Sequence, residues 1–499
     1  MITTNTKSNT AACAIAGAGA SAGAGASTGA HPRHGARALQ PRKYRAILRR
    51  NLDALPQLRR LSADELLSMK AVAAVLPFRV NDYVVEELID WDAVPHDPMF
   101  QLSFPQPGML AADDFAAMRA LVARGAPPAE QQALARKIQL GLNPHPAGQM
   151  EFNVPRLEDG TPLPGMQHKY RETVLFFPSQ GQTCHAYCSY CFRWAQFAGL
   201  DDLKFASREA GSLARYVAQH PEVNSVLFTG GDPMIMSAPL LARYIEPLLE
   251  IDHVVSVRIG TKSLAWWPYR FVTDPDADDV LRLFERVVKS GRHLALMAHY
   301  THPRELETRV AQAAIRRVRA TGAIIRCQAP LVRNINDDPL VWTNLWKRQI
   351  VLGMVPYYMF VERDTGPKNY FEVPLARAHE IFTTAWRRMS GLGRTVRGPS
   401  MSATPGKVLV DGVEEARGEK VFVLKFIQGR EPSWGGRVFF AKFDERATWL
   451  DQLKPAFGAK EFFFEPALRE IKGRKRAPAW GDRSKFVKRL SEFGHVEWM

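Results

Sequence analysis

Thr173-Val174-Leu175-Phe176-Phe177, and shortly after it Cys184-His185-Ala186-Tyr187-Cys188-Ser189-Tyr190-Cys191, is the stretch on which the fold turns. The first piece is a short run of β-branched and aromatic residues, a strand signal. The second lies between that strand and a stretch of helical period, which makes it a strand-to-helix loop. Its cysteines have the spacing C-x3-C-x2-C. Three thiolates so spaced can wrap three irons of a cubane cluster. No fourth cysteine follows, so one iron stays open to a ligand, which suits catalysis rather than simple electron carriage. A zinc site built from the three thiols and His185 is the alternative. Zinc sites usually bring two separated ligand pairs, and no second C-x2-C or H-x3-H pair lies at a fitting distance.

Downstream, five further apolar runs follow: Ser225–Thr229, Val254–Gly260, His293–Tyr300, Ala323–Gln328 and Met354–Val361. Segments of helical length separate them, among them Arg208–Gln219, Leu240–Leu249, Ala277–Lys289 and Arg304–Ala320. Strands alternating with helices predict parallel βαβ units, and nearly continuous apolar runs suit strands covered on both faces. The expected fold class is α/β, a partial (β/α)6 barrel over 166–395 with its chemistry at the C-terminal strand ends. Ahead of it, 41–165 reads as a helical N-terminal region. There Ser62 and Glu65 have the spacing of a capping box. Residues 396–499 read as a small β-containing region with strands near Lys407–Val410, Lys420–Phe426 and Arg437–Phe443, then a basic tail (Lys472, Arg474, Lys475, Arg476). Residues 1–40, rich in Ala, Gly and Ser, have too few large apolar side chains to pack and read as a disordered leader.

The hydrophobic share of 46% and charged share of 23% are those of a globular protein. The formal charge of +15 is spread along the chain, and its aromatics do not interleave with a basic stripe, so a nucleic-acid platform is not indicated. No stretch is long and apolar enough to span a bilayer. The cysteines are five: Cys13, Cys184, Cys188, Cys191 and Cys327. Such an odd, sparse set is no disulfide framework and points to a reducing, cytoplasmic setting. Cys327 sits in an apolar run and reads as a small buried side chain.

A second motif closes the second strand: Thr229-Gly230-Gly231-Asp232-Pro233. Alone it would be a turn. Together with C-x3-C-x2-C and an aromatic residue before the last cysteine, it resembles the radical S-adenosylmethionine (SAM) superfamily. The resemblance implies a [4Fe–4S] cluster on Cys184, Cys188 and Cys191 whose open iron chelates SAM, and a 5′-deoxyadenosyl radical after one-electron cleavage. It implies that Tyr190 packs near the cluster, that Gly230, Gly231 and Asp232 bind the methionyl amine, and that an electron donor such as a flavodoxin or ferredoxin serves the cluster. Within the superfamily, Cys191-Phe192-Arg193, Arg258-Ile259-Gly260-Thr261, His299-Tyr300-Thr301-His302-Pro303 and Gln328-Ala329-Pro330 resemble the lysine 2,3-aminomutase family in the same order, from about residue 165 to 395. That resemblance gives Arg193 the grip on a substrate carboxylate and puts Gln328 near SAM. Family members self-associate, which makes a homo-oligomer an expectation of the resemblance.

The family's pyridoxal phosphate, held by a lysine after an Asp-Ala-Pro element and a glycine run, is a point of departure. Arg397 stands where the aspartate would be, the glycine run is absent, and Thr173 replaces an arginine before the first strand. Lys407 begins the strand KVLV. These changes speak against pyridoxal phosphate, and Arg397 favours an anionic group over a substrate ammonium. Glu362 or Asp364 remain the acids available to a cationic group, and Asp364 is the candidate taken. The leading expectation is hydrogen abstraction from an amino acid or related carboxylate. The alternatives are an amino-group migration with Lys407 as Schiff base, and a zinc or nucleic-acid-binding module.

Overall fold

The computed structural model describes residues 39–199 and 203–473. The low-complexity leader, with Cys13, and the basic positions Arg474, Lys475 and Arg476 lie outside them. From Gln40 the described residues form one compact unit. Among the described residues no helix is long and apolar enough to cross a membrane.

Two short strands, β1 (Ala46–Leu48) and β2 (Arg79–Asn81), pair antiparallel in the N-terminal region. The sequence signalled only helices there, because three-residue strands leave no alternation to read. The helix Ala63–Val75 begins as expected. Ser62 Oγ accepts from Glu65 N at 3.2 Å, and Ser62 N donates to the Glu65 carboxylate at 2.8 Å.

One sheet carries the rest, in chain order from edge to edge. It runs β3 (Met166–Tyr170), β4 (Thr173–Phe176), β5 (Ser225–Phe228), β6 (Ser256–Thr261), β7 (His293–His299), β8 (Ile324–Leu331), β9 (Val355–Val361), β10 (Arg397–Ser402), β11 (Gly406–Ala416), β12 (Glu419–Gly429) and β13 (Val438–Lys442). Strands β4 to β9 are the expected parallel set. Between them run helices that each bury one stripe. In Ala277–Lys289, for example, Val280, Leu283, Phe284 and Val287 face the sheet at helical spacing.

Two strands were not expected. Strand β3 pairs antiparallel with β4 at one edge, and β10 continues the parallel set beside β9. Because β10 then turns back antiparallel into β11, the C-terminal strands extend the barrel sheet itself. Flat, seven steps from β3 to β10 would span roughly 33 Å. Yet Lys169 Nζ in β3 donates to Ala403 O just past β10 at 2.5 Å. The sheet is therefore curled into a barrel whose last gap is closed by side chains, with no ladder across it.

The outer part of the sheet has its own core. Phe422, Leu424 and Phe426 pack with Phe439, Trp434, Trp449, Phe462 and Phe464. Phe422 is fully buried. Phe422→Ala is expected to cost about 3–5 kcal/mol, read as a lowered urea midpoint. The same protein, below its transition, should retain wild-type iron loading on the distant cysteine loop.

Candidate active site

The cysteine loop follows β4 at the C-terminal end of the barrel. It is a chain of tight turns, with Cys191 N donating to Cys188 O at 3.1 Å and Trp194 N to Cys191 O at 3.0 Å. Its thiols are free. Burial pushes all three above their ordinary pKa, Cys188 to about 12 and Cys191 to about 11; the neighbouring sulfurs raise Cys184 and Cys188 further, while Cys191 is drawn down by Arg193 and up by Glu362. Thiolates in such a recess need a strong cation. Among the described residues no three His, Cys, Asp or Glu groups converge closely enough to share one metal ion. His185 is turned elsewhere: its Nδ1 meets Ser263 Oγ at 2.9 Å and its ring lies along Trp267. A cluster of several irons suits sulfurs arranged this way better than a single zinc.

Three structures hold the loop. From the N-terminal region, Tyr44 Oη donates to His185 O at 2.8 Å, Arg79 Nη1 to Cys184 O at 3.3 Å, and Ser189 N to Leu102 O at 2.9 Å. From the end of β5 comes the glycine pair. A Cβ on Gly231 would lie 2.5 Å from both Thr183 N and Thr183 O, so only glycine lets the two backbones meet. Gly230, at φ +125°, would drive a Cβ to 2.1 Å from the Gln182 amide. From β7 come His299 and Thr301, which bond Tyr190 Oη at 3.0 and 2.8 Å.

Asp232 is buried and fully engaged. Its carboxylate accepts from Thr261 Oγ1, Lys262 N, Ser263 Oγ and Met234 N at 2.8–3.0 Å. Burial nonetheless raises its pKa. Its visible work is to tie the glycine loop to the end of β6, which leaves the backbone of Gly230 and Gly231 as the surface beside the cysteines. Beneath Tyr190, Lys262 Nζ pairs with fully buried Glu305 at 2.6 Å, and Glu305 also accepts from Trp266 Nε1 and Thr301 N. Neither member of this pair stood out in the sequence. The only available signal was Glu305 three residues after His302, the spacing of a capping box.

Arg193 lies over Phe177 at 4.5 Å and Phe192 at 4.8 Å. Burial, with Arg363 nearby, lowers its pKa to about 9. Glu362 is buried, its carboxyl held well above the ordinary range, and its charge bears on Cys191 and Tyr190. Asp364 is half-buried beside Asn143, whose Nδ2 reaches its backbone oxygen at 2.5 Å and its carboxylate at 3.4 Å, and its Oδ1 is buried without a partner. Of the two acids, Glu362 is the one brought to the cysteine loop. Gln328 shares the half-open face of β8 with Arg326, alternating with buried Cys327 and Ala329.

Elsewhere on the barrel sheet four cations gather around two tyrosines, the exposed Arg397 at the start of β10 and the half-buried Arg258, Arg326 and Lys407. Arg397 lies 4.7 and 4.8 Å from the Tyr357 and Tyr358 rings, Arg326 5.3 Å from Tyr357, and Lys407 Nζ 4.2 Å from Tyr358. Arg258 completes the set, reaching Thr173 Oγ1 at 3.3 Å and leaving its buried Nε without a partner. Burial, then Arg258 and Arg397, lower Lys407 to about 7.

A barrel of parallel strands with a three-cysteine loop after its first strand and a glycine pair after its second defines a radical SAM enzyme, whose cofactors are a [4Fe–4S] cluster and SAM. No protein-family model matches the chain. It is 34% identical over 288 residues to the Aquifex aeolicus protein named "Putative L-lysine 2,3-aminomutase", a match covering 58% of this chain and 74% of that one. It is 29% identical over 245 residues to the L-lysine 2,3-aminomutase of Acetoanaerobium sticklandii, covering 49% and 56%. The Streptococcus suis protein SuiB bound to its precursor peptide SuiA aligns with a TM-score of 0.32 at 14% identity, over 55% and 54% of the two chains. The chain belongs to the L-lysine 2,3-aminomutase family.

Gly231→Ala should force the two loops apart and lower the iron bound after anaerobic reconstitution by at least half, with little change in far-UV circular dichroism. Glu305→Ala leaves Lys262 buried and unpaired and is expected to cost about 3–5 kcal/mol in denaturant unfolding. Replacing both, Lys262→Met with Glu305→Leu, should recover most of that loss.

Proposed function

We propose that this protein abstracts a hydrogen atom from an amino acid or related carboxylate with a radical generated at Cys184, Cys188 and Cys191. The carrying observation is the pairing of a half-buried three-thiol loop and its Arg193 with a barrel sheet that carries Arg258, Arg326, Arg397 and Lys407. A [4Fe–4S] cluster held there supplies the electron that cleaves SAM to a 5′-deoxyadenosyl radical. The chain's own residues bind, orient and exclude water. The Gly230–Gly231 backbone offers amides and carbonyls beside the cysteines. Tyr190, fixed by His299 and Thr301, walls the loop off from the barrel. Arg193, stacked and without an ion-pair partner among the described residues, offers a guanidinium fork to a carboxylate. Arg258, Arg326 and Arg397 deepen the positive field, which favours a substrate of net negative charge over lysine.

The test is anaerobic reconstitution followed by a screen of deuterated amino acids and carboxylates for label transfer into 5′-deoxyadenosine. Acidic substrates should transfer label and lysine should not. Cys188→Ala should abolish both cluster assembly and 5′-deoxyadenosine formation; full turnover in that variant would refute the assignment. Arg193→Ala should weaken substrate binding by about 2–5 kcal/mol.

A second reading is favoured by one observation. Lys407 is a buried amine lowered to about 7 from an ordinary 10.5, and the surrounding guanidinium groups suit a phosphate. The residues present therefore fit pyridoxal phosphate despite the missing glycine run, and an amino-group migration would then follow. Below about pH 7 the amine is charged and unreactive; above it the amine is neutral and nucleophilic. Covalent capture of pyridoxal phosphate, followed by absorbance, should then rise with pH around a midpoint near 7 and vanish in Lys407→Ala. A midpoint near 10, or labelling that survives the substitution, would remove this reading.

A further inference from the structure

The cysteine loop has two sides, and only one faces the barrel. On the other, the N-terminal region and the loop enclose an open cleft of about 610 Å³. Its lining includes Arg49, Arg50, Lys70, Arg79, Tyr187 and Phe197. Against these four cations stands one acid, Asp53, itself paired with Lys70 at 2.6 Å. Arg50 is exposed, Arg49 is desolvated enough for its pKa to fall, and Arg79 keeps a buried Nε without a partner. The cysteine loop reaches the cleft through one residue, Tyr187. Tyr187 lies between Cys184 and Cys188, and its ring stacks on Phe197 with centroids 4.3 Å apart and planes 13° from parallel. Arg79, 5.5 Å over the same ring, also donates to Cys184 O at 3.3 Å. A molecule in this cleft thus meets Tyr187, next in sequence to Cys188, and Arg79, bonded to the backbone of Cys184, without entering the barrel.

We propose that this cleft docks an acidic one-electron carrier protein, of the flavin or iron–sulfur class, that reduces the cluster from outside the barrel. The proposal rests on the radical reading above. In the step the carrier is oxidised by one electron and the cluster is reduced by one; no bond forms or breaks and no proton is transferred. The charge of the cleft complements an acidic surface, which steers encounter without demanding a large interface, as transient redox partners require. The geometry also keeps the two chemistries apart. An electron can arrive through Arg79, Tyr187 and the loop backbone while Tyr190 and Arg193 face the substrate side. This gives the N-terminal region a task beyond bracing the loop.

The test uses the full-length, anaerobically reconstituted enzyme with an acidic flavodoxin as the probe. Oxidised flavodoxin is titrated against the enzyme to read binding without turnover, and SAM cleavage is driven separately by reduced flavodoxin and by dithionite. Arg50→Glu is expected to lower flavodoxin affinity and the flavodoxin-driven rate together, roughly threefold to tenfold at low ionic strength. The difference should shrink with added salt, Arg50→Lys should behave as the unmodified protein, and the dithionite-driven rate should not move. Absence of flavodoxin binding to the unmodified enzyme, binding that Arg50→Glu leaves unchanged, or a dithionite-driven rate that falls in proportion would each overturn the proposal. Failure of dithionite to support any SAM cleavage would instead count against the radical reading, and the binding titration would still decide the docking surface.

Discussion

Three sulfur atoms held in a half-buried recess, where desolvation disfavours their thiolates, form the constraint around which this molecule is organised. Each thiol is raised by burial, and Cys184 and Cys188 again by the neighbouring sulfurs. Only a strongly charged cationic centre reverses that balance. The loop must therefore present its sulfurs in a fixed array before any metal arrives, and a short run of turns cannot fix itself. Outside support comes from the N-terminal region, from the glycine pair after β5 and from the Tyr190 bonds to His299 and Thr301. The second is the most demanding, because backbone meets backbone at Gly231 and no side chain fits between. Asp232 follows from that need. Its acceptance of hydrogen bonds from four donors fastens the glycine loop to the end of β6, so the brace is itself braced.

The barrel sheet answers a different electrostatic problem. Cations that crowd together repel one another, yet Arg326, Arg397 and Lys407 share Tyr357 and Tyr358 as π partners. An aromatic face attracts a cation without neutralising it. The cluster thus keeps its positive charge, where carboxylate partners would have cancelled it. Glu362 stands nearer the cysteines and is itself driven toward its neutral form by burial, so it subtracts little from that field. Such a cluster keeps a positive field that suits an anionic group.

Much of this was legible in the sequence where the signal is local. The cysteine spacing, the six apolar runs and the capping box at Ser62 are all short-range patterns, and the structure has the strands and the cap in those places. What stayed hidden depends on residues far apart in the chain. Arg397–Ser402 contains Gly, Pro and Ser and reads as a loop, but it becomes β10 because β9 offers it an edge. Lys262 and Glu305 lie 43 residues apart, and no periodicity couples them. Tyr44 and Arg79 hold His185 and Cys184 across more than a hundred residues, in a segment whose sequence shows only helices. Asp364 drew attention for its charge alone, while the backbone turn after β9 gives the inward place to Glu362, two residues earlier.

The two faces of the cysteine loop explain why one short segment needs so much protein around it. A radical formed beside the cluster reacts with whatever is nearest, so the barrel side must be closed and its contacts specific. The electron that starts the reaction must come from outside, so the opposite side must be open and its contacts forgiving. The structure divides these demands by residue. Tyr190, with its hydroxyl spent on His299 and Thr301, is locked and buried. Tyr187, three positions earlier, lines a solvent-open cleft among basic side chains. A spacing of three between the first two cysteines and two between the last two is what lets one tyrosine face out and the other in. The cysteine motif is for that reason also the partition between the open N-terminal cleft and the barrel.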